Sequence, residues 1–266
     1  DGRDMIETLG GDDLITVRRG RDTVRAGEGD DRLVISYGWA TETLCLEYRD
    51  SPTFLAHAFV SPTGGCGAAD RLSATDRVYF MGVERLEVYA GSGDDRLTLS
   101  PGRPDTVNGG PGVDRLFDAF APQDPSVRVS MELIATTGQS FLDGTFLRAV
   151  ESVVLDLTDG PDGFTDFGPY DDTVRGRGGN DVLSSGGGHD FLFGGEGEDV
   201  LAIRYGDAAE PVAFTNSGPG RQANAEEATA AGTRLRSVVA DGFEHADVVA
   251  GAAAALDRTR YRAGMK

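Results

Sequence analysis

The chain has 266 residues, with 44 Asp and Glu against 25 Lys and Arg, for a formal net charge of -19. That balance excludes partners whose phosphates would be repelled, nucleic acid and anionic membrane surfaces alike, and no run is apolar enough to cross a bilayer as a helix. Glycine is abundant at 38 residues while proline stays at 11, which points to many tight turns rather than a disordered linker.

Residues 1–35 carry a period of nine. Gly2, Gly11, Gly20 and Gly29 mark it, as do Asp4, Asp13, Asp22 and Asp31, and Ile6, Ile15, Val24 and Leu33. Three residue classes holding one phase over four units is the signature of a repeat architecture. Gly27 adds a second glycine to the last loop. The pattern has a chemical reading. Ca²⁺ takes six to eight oxygens from carboxylates and backbone carbonyls. A loop that turns its carbonyls toward an ion needs backbone angles that glycine adopts at little steric cost. The Asp-x-aliphatic spacing then leads out of the loop into a short strand, where alternate side chains share a face and the aliphatic one points inward.

Residues 36–88 interrupt the period with an insertion and an apolar coil. Thr43–Tyr48 alternates as a strand does. Cys45 and Cys66 sit in no metal-binding motif, and spacing alone leaves a disulfide and two separate buried thiols both open. The segment ends on Gly82-Val83-Glu84-Arg85-Leu86-Glu87-Val88, in phase with the next repeats. Here Leu86 is expected to replace the repeat aspartate with an apolar residue.

A second repeat block spans 89–117, with Gly91, Gly93 and Asp95, then Asp105 after one extra residue, then Gly110, Gly112 and Asp114. Residues 118–159 form a second insertion and apolar coil. Val127–Met131 reads as a strand, and Ala149-Val150-Glu151-Ser152-Val153-Val154-Leu155 repeats the closing motif, with Val153 in the aspartate position. The third block, 160–203, places Asp172, Asp181, Asp190 and Asp199 nine apart, with Gly179, Gly188, Gly195 and Gly197 in the loops. Asp162 belongs to one further unit, set off by a one-residue insertion.

Residues 204–266 hold a third insertion, the motif Gly242-Phe243-Glu244-His245-Ala246-Asp247-Val248 with Ala246 in the aspartate position, and a degenerate end. Asn224–Gly232 is expected to be a short capped helix. Gly251–Leu256 has the place of a loop but no aspartate, so a cap without an ion is expected there. The insertions either project a binding surface or widen and cover the coils. The blocks are expected to form one continuous solenoid, and the opening inside a repeat suggests a fragment of a longer polypeptide.

Gly27-Glu28-Gly29-Asp30-Asp31-Arg32-Leu33 and Gly194-Gly195-Glu196-Gly197-Glu198-Asp199-Val200-Leu201 resemble the G-G-x-G-x-D-x-U-x repeats of the RTX (haemolysin-type) calcium-binding family. The resemblance covers roughly 1–35, 89–117 and 160–203. It implies an all-β fold, a right-handed parallel β-roll or β-helix solenoid with interrupting insertions. Two repeats make each turn, and ions sit between loops stacked on one edge. The expected pairs are Asp4–Asp22, Asp13–Asp31, Asp95–Asp114, Asp172–Asp190, Asp181–Asp199 and Asp162–Asp181, for about five or six Ca²⁺ ions held mainly by oxygen. Arg18-Arg19-Gly20 and Tyr170 depart from the glycine pattern.

No nucleophile elbow, phosphate loop or zinc-protease helix motif is present. His57 is expected to pack, and His189 to lie solvated at a variable loop position. The expectation is a non-catalytic calcium-binding module of a secreted or cell-surface bacterial protein, acting as adhesin, spacer or structural layer, with surface polysaccharide or another protein as its further partner. The runner-up is a carbohydrate-active solenoid or the C-terminal part of a secreted hydrolase.

Overall fold

The computed structural model describes residues 2–48, 56–117, 120–205, 208, 212–216, 221–228 and 234–250. The chain folds as two compact units, one of Asp1–Phe120 with Leu133–Glu151, the other of Ala121–Glu132 with Ser152–Lys266. Both are parallel β-rolls.

In the first unit the repeat strands go alternately to two sheets. One sheet runs Met5–Glu7, Arg21–Arg25, Arg77–Met81, Ala56–Val60, Leu44–Glu47, Arg96–Thr98, Arg115–Phe117. The other runs Gln139–Ser140, Phe146–Arg148, Thr106–Asn108, Arg85–Tyr89, Arg32–Ser36, Leu14–Val17. Met5 pairs with Thr23 and Leu14 with Arg32, both in parallel, so one turn is 18 residues and two repeats. The extra residue of the second block appears as a step of 19, Arg96 against Arg115. Val24, Leu33, Leu97, Val107 and Leu116, each two residues after a repeat aspartate, are fully buried. The period of two along each strand places that residue inward.

The second unit is built the same way. Its sheets run Ser152–Asp156, Thr173–Arg175, His189–Phe193, Arg234–Phe243, Arg221–Ala228, Val212–Asn216, and Arg128–Ser130, Gly163–Thr165, Val182–Ser185, Val200–Tyr205, His245–Ala250. Val174, Leu183, Leu192 and Leu201 are fully buried.

The insertions add strands to these sheets. In the first, Leu44–Glu47, Ala56–Val60 and Arg77–Met81 make an antiparallel meander, joined in parallel to repeat strands at both ends. The expected strand at 43–48 is present, and so is that at 127–131, shortened to Arg128–Ser130 because a one-turn helix, Met131–Thr136, begins directly after it. Cys45 and Cys66 form a disulfide, which ties this meander to the loop that precedes the helix Ala68–Ser73.

The short helix expected from Asn224 is a correction. Arg221–Ala228 is a strand, antiparallel to Val212–Asn216 and to Arg234–Phe243. Ala223, Ala225 and Glu227 are buried while Gln222 is exposed, so burial against two neighbouring strands overrides the helix preference of Ala and Glu. Residues 229–232 of that expected helix, and the expected cap at 251–256, lie outside the described residues. No helix among the described residues is long and apolar enough to cross a membrane.

Candidate metal centre

The parallel step of one turn stacks each repeat aspartate on the next, and the main chain locks the stack. The amide of Asp4 donates to Oδ1 of Asp22 at 3.1 Å, and that of Asp13 to Asp31 at 2.8 Å. Asp95 donates to Asp114 at 2.9 Å, Asp162 to Asp181 at 2.8 Å, Asp172 to Asp190 at 2.9 Å and Asp181 to Asp199 at 2.9 Å. All six expected pairs are neighbours in these ladders. Asp105 is different: it follows Leu86, whose amide it accepts at 2.8 Å, so it joins no aspartate pair.

One carboxylate oxygen is thus taken by a main-chain amide. The other is buried without a hydrogen-bond partner at Asp31, Asp95, Asp105, Asp114, Asp181 and Asp199. Such a group is expensive to bury unless something compensates it. At Asp114, Asp181 and Asp199 this Oδ2 lies over Gly109, Gly176 and Gly194 of its own loop, where a Cβ would collide with it. Burial pushes the carboxyl of Asp114 up to about 8 and those of Asp95, Asp105, Asp181 and Asp190 to about 7. Asp22, Asp162 and Asp199 are raised for the same reason. A buried row of orphaned carboxylate oxygens, like-charged when ionised, is a donor set that fits a divalent hard cation.

The loop glycines answer the same geometry. Gly11, Gly20, Gly27, Gly29, Gly110, Gly112, Gly179, Gly188, Gly195 and Gly197 all have positive φ. At Gly197, with φ of 141°, a side chain would also strike the carbonyl of Gly179 one turn earlier. Gly91 and Gly93 lack positive φ, and the carbonyls of Gly2, Gly91 and Gly93 are what a side chain at Gly20, Gly110 or Gly112 would strike. Where glycine is missing, other contacts intervene. The Trp39 indole donates to the Arg18 carbonyl at 3.0 Å and carries the Arg19 guanidinium 4.1 Å above its ring.

Three glutamates end the ladders, and sequence reasoning missed them. The amide of Asp31 donates to Glu84 Oε2 at 3.0 Å, that of Asp114 to Glu151 at 2.9 Å and that of Asp199 to Glu244 at 2.8 Å. Each glutamate amide returns a bond to the same aspartate's carbonyl. The residue two before each glutamate, Gly82, Ala149 or Gly242, has positive φ, and Val83, Val150 or Phe243 between them is buried. The recurring Gly/Ala-x-Glu is visible in sequence, but the phase of nine points to Leu86, Val153 and Ala246 instead. Leu86 and Val153 do face Asp105 and Asp172 on one side. Leu86 faces Leu33 and Ala246 faces Leu201 on the other, so there the carboxylate position belongs to Glu84 and Glu244.

An outer ladder runs the opposite way through the residue before each aspartate. Asp12 Oδ1 accepts the amide of Asp30 at 3.0 Å, Asp94 that of Val113 at 2.9 Å and Asp171 that of His189 at 2.8 Å. His189 is therefore not a solvated spectator: its Nδ1 also lies 3.1 Å from Ser237 Oγ. His57 packs as expected, stacked on Phe59, and its buried ring is also 3.0 Å from Arg71 and 3.5 Å from Glu47. It lines a cleft of roughly 210 Å³ with Cys45, Arg96 and Thr98.

A family model described as RTX calcium-binding nonapeptide repeat (4 copies) matches residues 1–33, 89–117 and 168–201, which hold the ladder aspartates other than Asp162. No curated protein matches the chain.

Proposed function

We propose that this chain, which carries RTX calcium-binding repeats, is a calcium-clamped structural module of a secreted or cell-surface protein, serving as adhesin, spacer or structural layer without catalysis of its own. The observation that carries the reading is the row of buried Oδ2 atoms with no hydrogen-bond partner. Asp22, Asp31, Asp95, Asp114, Asp162, Asp172, Asp181, Asp190 and Asp199 would hold Ca²⁺, with Asp4 and Asp13 closing the first turn and loop carbonyls completing the shell. The ion would supply positive charge between stacked carboxylates and so convert their repulsion into cohesion between turns. Binding to the folded state alone adds its free energy to folding. Extracellular modules bind Ca²⁺ at about 10⁻⁴–10⁻³ M, so such a chain would stay loose in a low-calcium cytosol and fold after export. The test is circular dichroism during a calcium titration. A cooperative gain of β signal, reversed by chelator and not reproduced by Mg²⁺, supports the reading. Full β content in chelator would overturn it.

A further inference from the structure

We propose that Asp166 makes the loop pair around Asp172 and Asp190 a three-carboxylate calcium site, different in kind from the two-carboxylate steps of the ladders and the first to fill. The proposal rests on the calcium reading and adds a ligand that the repeat pattern does not contain.

Ligand oxygens of Asp166, Asp172 and Asp190 all lie within 4.8 Å of one another, the one such group among the described residues. All three residues are 1% exposed. Asp166 Oδ1 accepts the amide of Gly168 at 2.9 Å, while its Oδ2 is buried with no hydrogen-bond partner. Asp190 takes the Asp172 amide on Oδ1 and the Ser185 hydroxyl on Oδ2 at 2.6 Å. The buried Tyr205 hydroxyl lies within electrostatic reach of Asp190. Among the described residues no arginine is a hydrogen-bond partner of Asp166 or Asp190, and the nearby Arg236 lies 4.5 Å over the Tyr205 ring with its bonds directed to Glu227 and the Gly186 carbonyl.

The spacing suits calcium. Oxygens about 2.3–2.6 Å from Ca²⁺ on opposite sides stand about 4.6–5.2 Å apart. The local sequence explains how the third acid arrives. The loop before Asp172 lacks the usual glycine, with Tyr170 in its place, and is one residue longer than its neighbours. Its first residue, Asp166, turns back over the site through the Gly168 amide. Affinity in oxygen sites rises with the number of carboxylates, so this site should outbind the rest.

The experiment uses the full chain in two arms. In the first, a chelating indicator competes for Ca²⁺ with the wild type, Asp166→Asn and Asp156→Asn. Asparagine keeps the acceptor for Gly168 and removes the charge, while Asp156 is an exposed acid outside the ladders. Asp166→Asn should weaken the tightest site about ten-fold or more and leave the weaker ones in place, and Asp156→Asn should change nothing. In the second arm, wild-type crystals exchanged into Tb³⁺ should show an anomalous peak within ligand distance of all three carboxylates. An unchanged tight site in Asp166→Asn, or a peak held by Asp172 and Asp190 with Asp166 out of reach, overturns the proposal. If Asp166→Asn does not fold in saturating calcium, the crystal arm decides alone. A wild type that binds no calcium at all sinks the repeat reading and this site together, whereas binding with no third ligand sinks this site only.

Discussion

Ala149 shows how a single residue records the demands of its turn. It and Arg177 are the non-glycine residues with positive φ among those described, at 51° and 74°. Gly82 and Gly242 fill the equivalent place in the other two closing turns. The left-handed region costs an alanine about 1–2 kcal/mol. Part of that is lost again when glycine loosens the unfolded chain, so Ala149→Gly should raise stability by about 0.5–1 kcal/mol. A thermal melt in calcium checks this, and a lower Tm for the glycine variant would contradict it. Two residues on, Glu151 answers the buried amide of Asp114. Glu151→Ala leaves that amide orphaned and should destabilise by about 1–3 kcal/mol. Glu151→Gln retains an acceptor and should lose much less. Equal losses from both would mean that charge, not the hydrogen bond, is what the turn requires.

Strands and loops of a repeat depend on their neighbours, because each turn bonds only to the turn before and after it. Asp181 accepts from Asp162 and donates to Asp199, so it is an interior rung of the longest ladder. Asp105 stands outside any aspartate pair. Asp181→Asn should therefore lower the number of Ca²⁺ bound and shift the folding midpoint to higher calcium, and Asp105→Asn should leave the count unchanged. Equilibrium dialysis with Ca²⁺ decides it; identical stoichiometry in the two variants would show that the ladder does not define the sites. The disulfide acts on a different element. It joins residues 21 apart within the first insertion and should contribute roughly 3 kcal/mol. Reduction is expected to speed hydrogen exchange in Leu44–Glu47 and Ala56–Val60 and to leave Val182–Ser185 and Val200–Tyr205 unchanged. Loss of protection across both units alike would refute this local role.

At the scale of the molecule, pH and calcium should oppose each other. In the calcium-free fold burial raises Asp114 to about 8 and Asp95, Asp181 and Asp190 to about 7. A carboxyl whose folded pKa lies above its unfolded value binds more protons when folded. Its contribution is therefore present at about pH 4 and is lost as pH rises through 7 to 8. Without calcium the β structure should be more stable at about pH 5 than at about pH 8. Protons and Ca²⁺ compete for the same oxygens, so calcium affinity should rise over the same window. Chelated protein followed by circular dichroism between those two pH values, and a calcium titration at each end, tests both halves. Greater stability at the alkaline end without calcium would show that the carboxylates are solvated when the ion is gone.

The nine-residue period marks which residues of each repeat turn inward and which face the loop. The buried Val24, Leu33, Leu116, Val174 and Leu201 follow from that phase, while the turn of 18 residues, the steps of 19 and the six aspartate pairs follow from it together with the two repeats per turn that the resemblance to RTX repeats implies. Contacts between segments with no common period had to wait for the folded chain. The strand at Arg221–Ala228 forms because two neighbours offer it hydrogen bonds and burial, which local preference does not register. Glu84, Glu151 and Glu244 acquire meaning only beside the last aspartate of each ladder, and Trp39 only beside Arg18 and Arg19. Asp166 reads as any loop acid until folding sets it against Asp172 and Asp190, since what makes a carboxylate a ligand is the burial and company it keeps, and neither is written in its own stretch of chain.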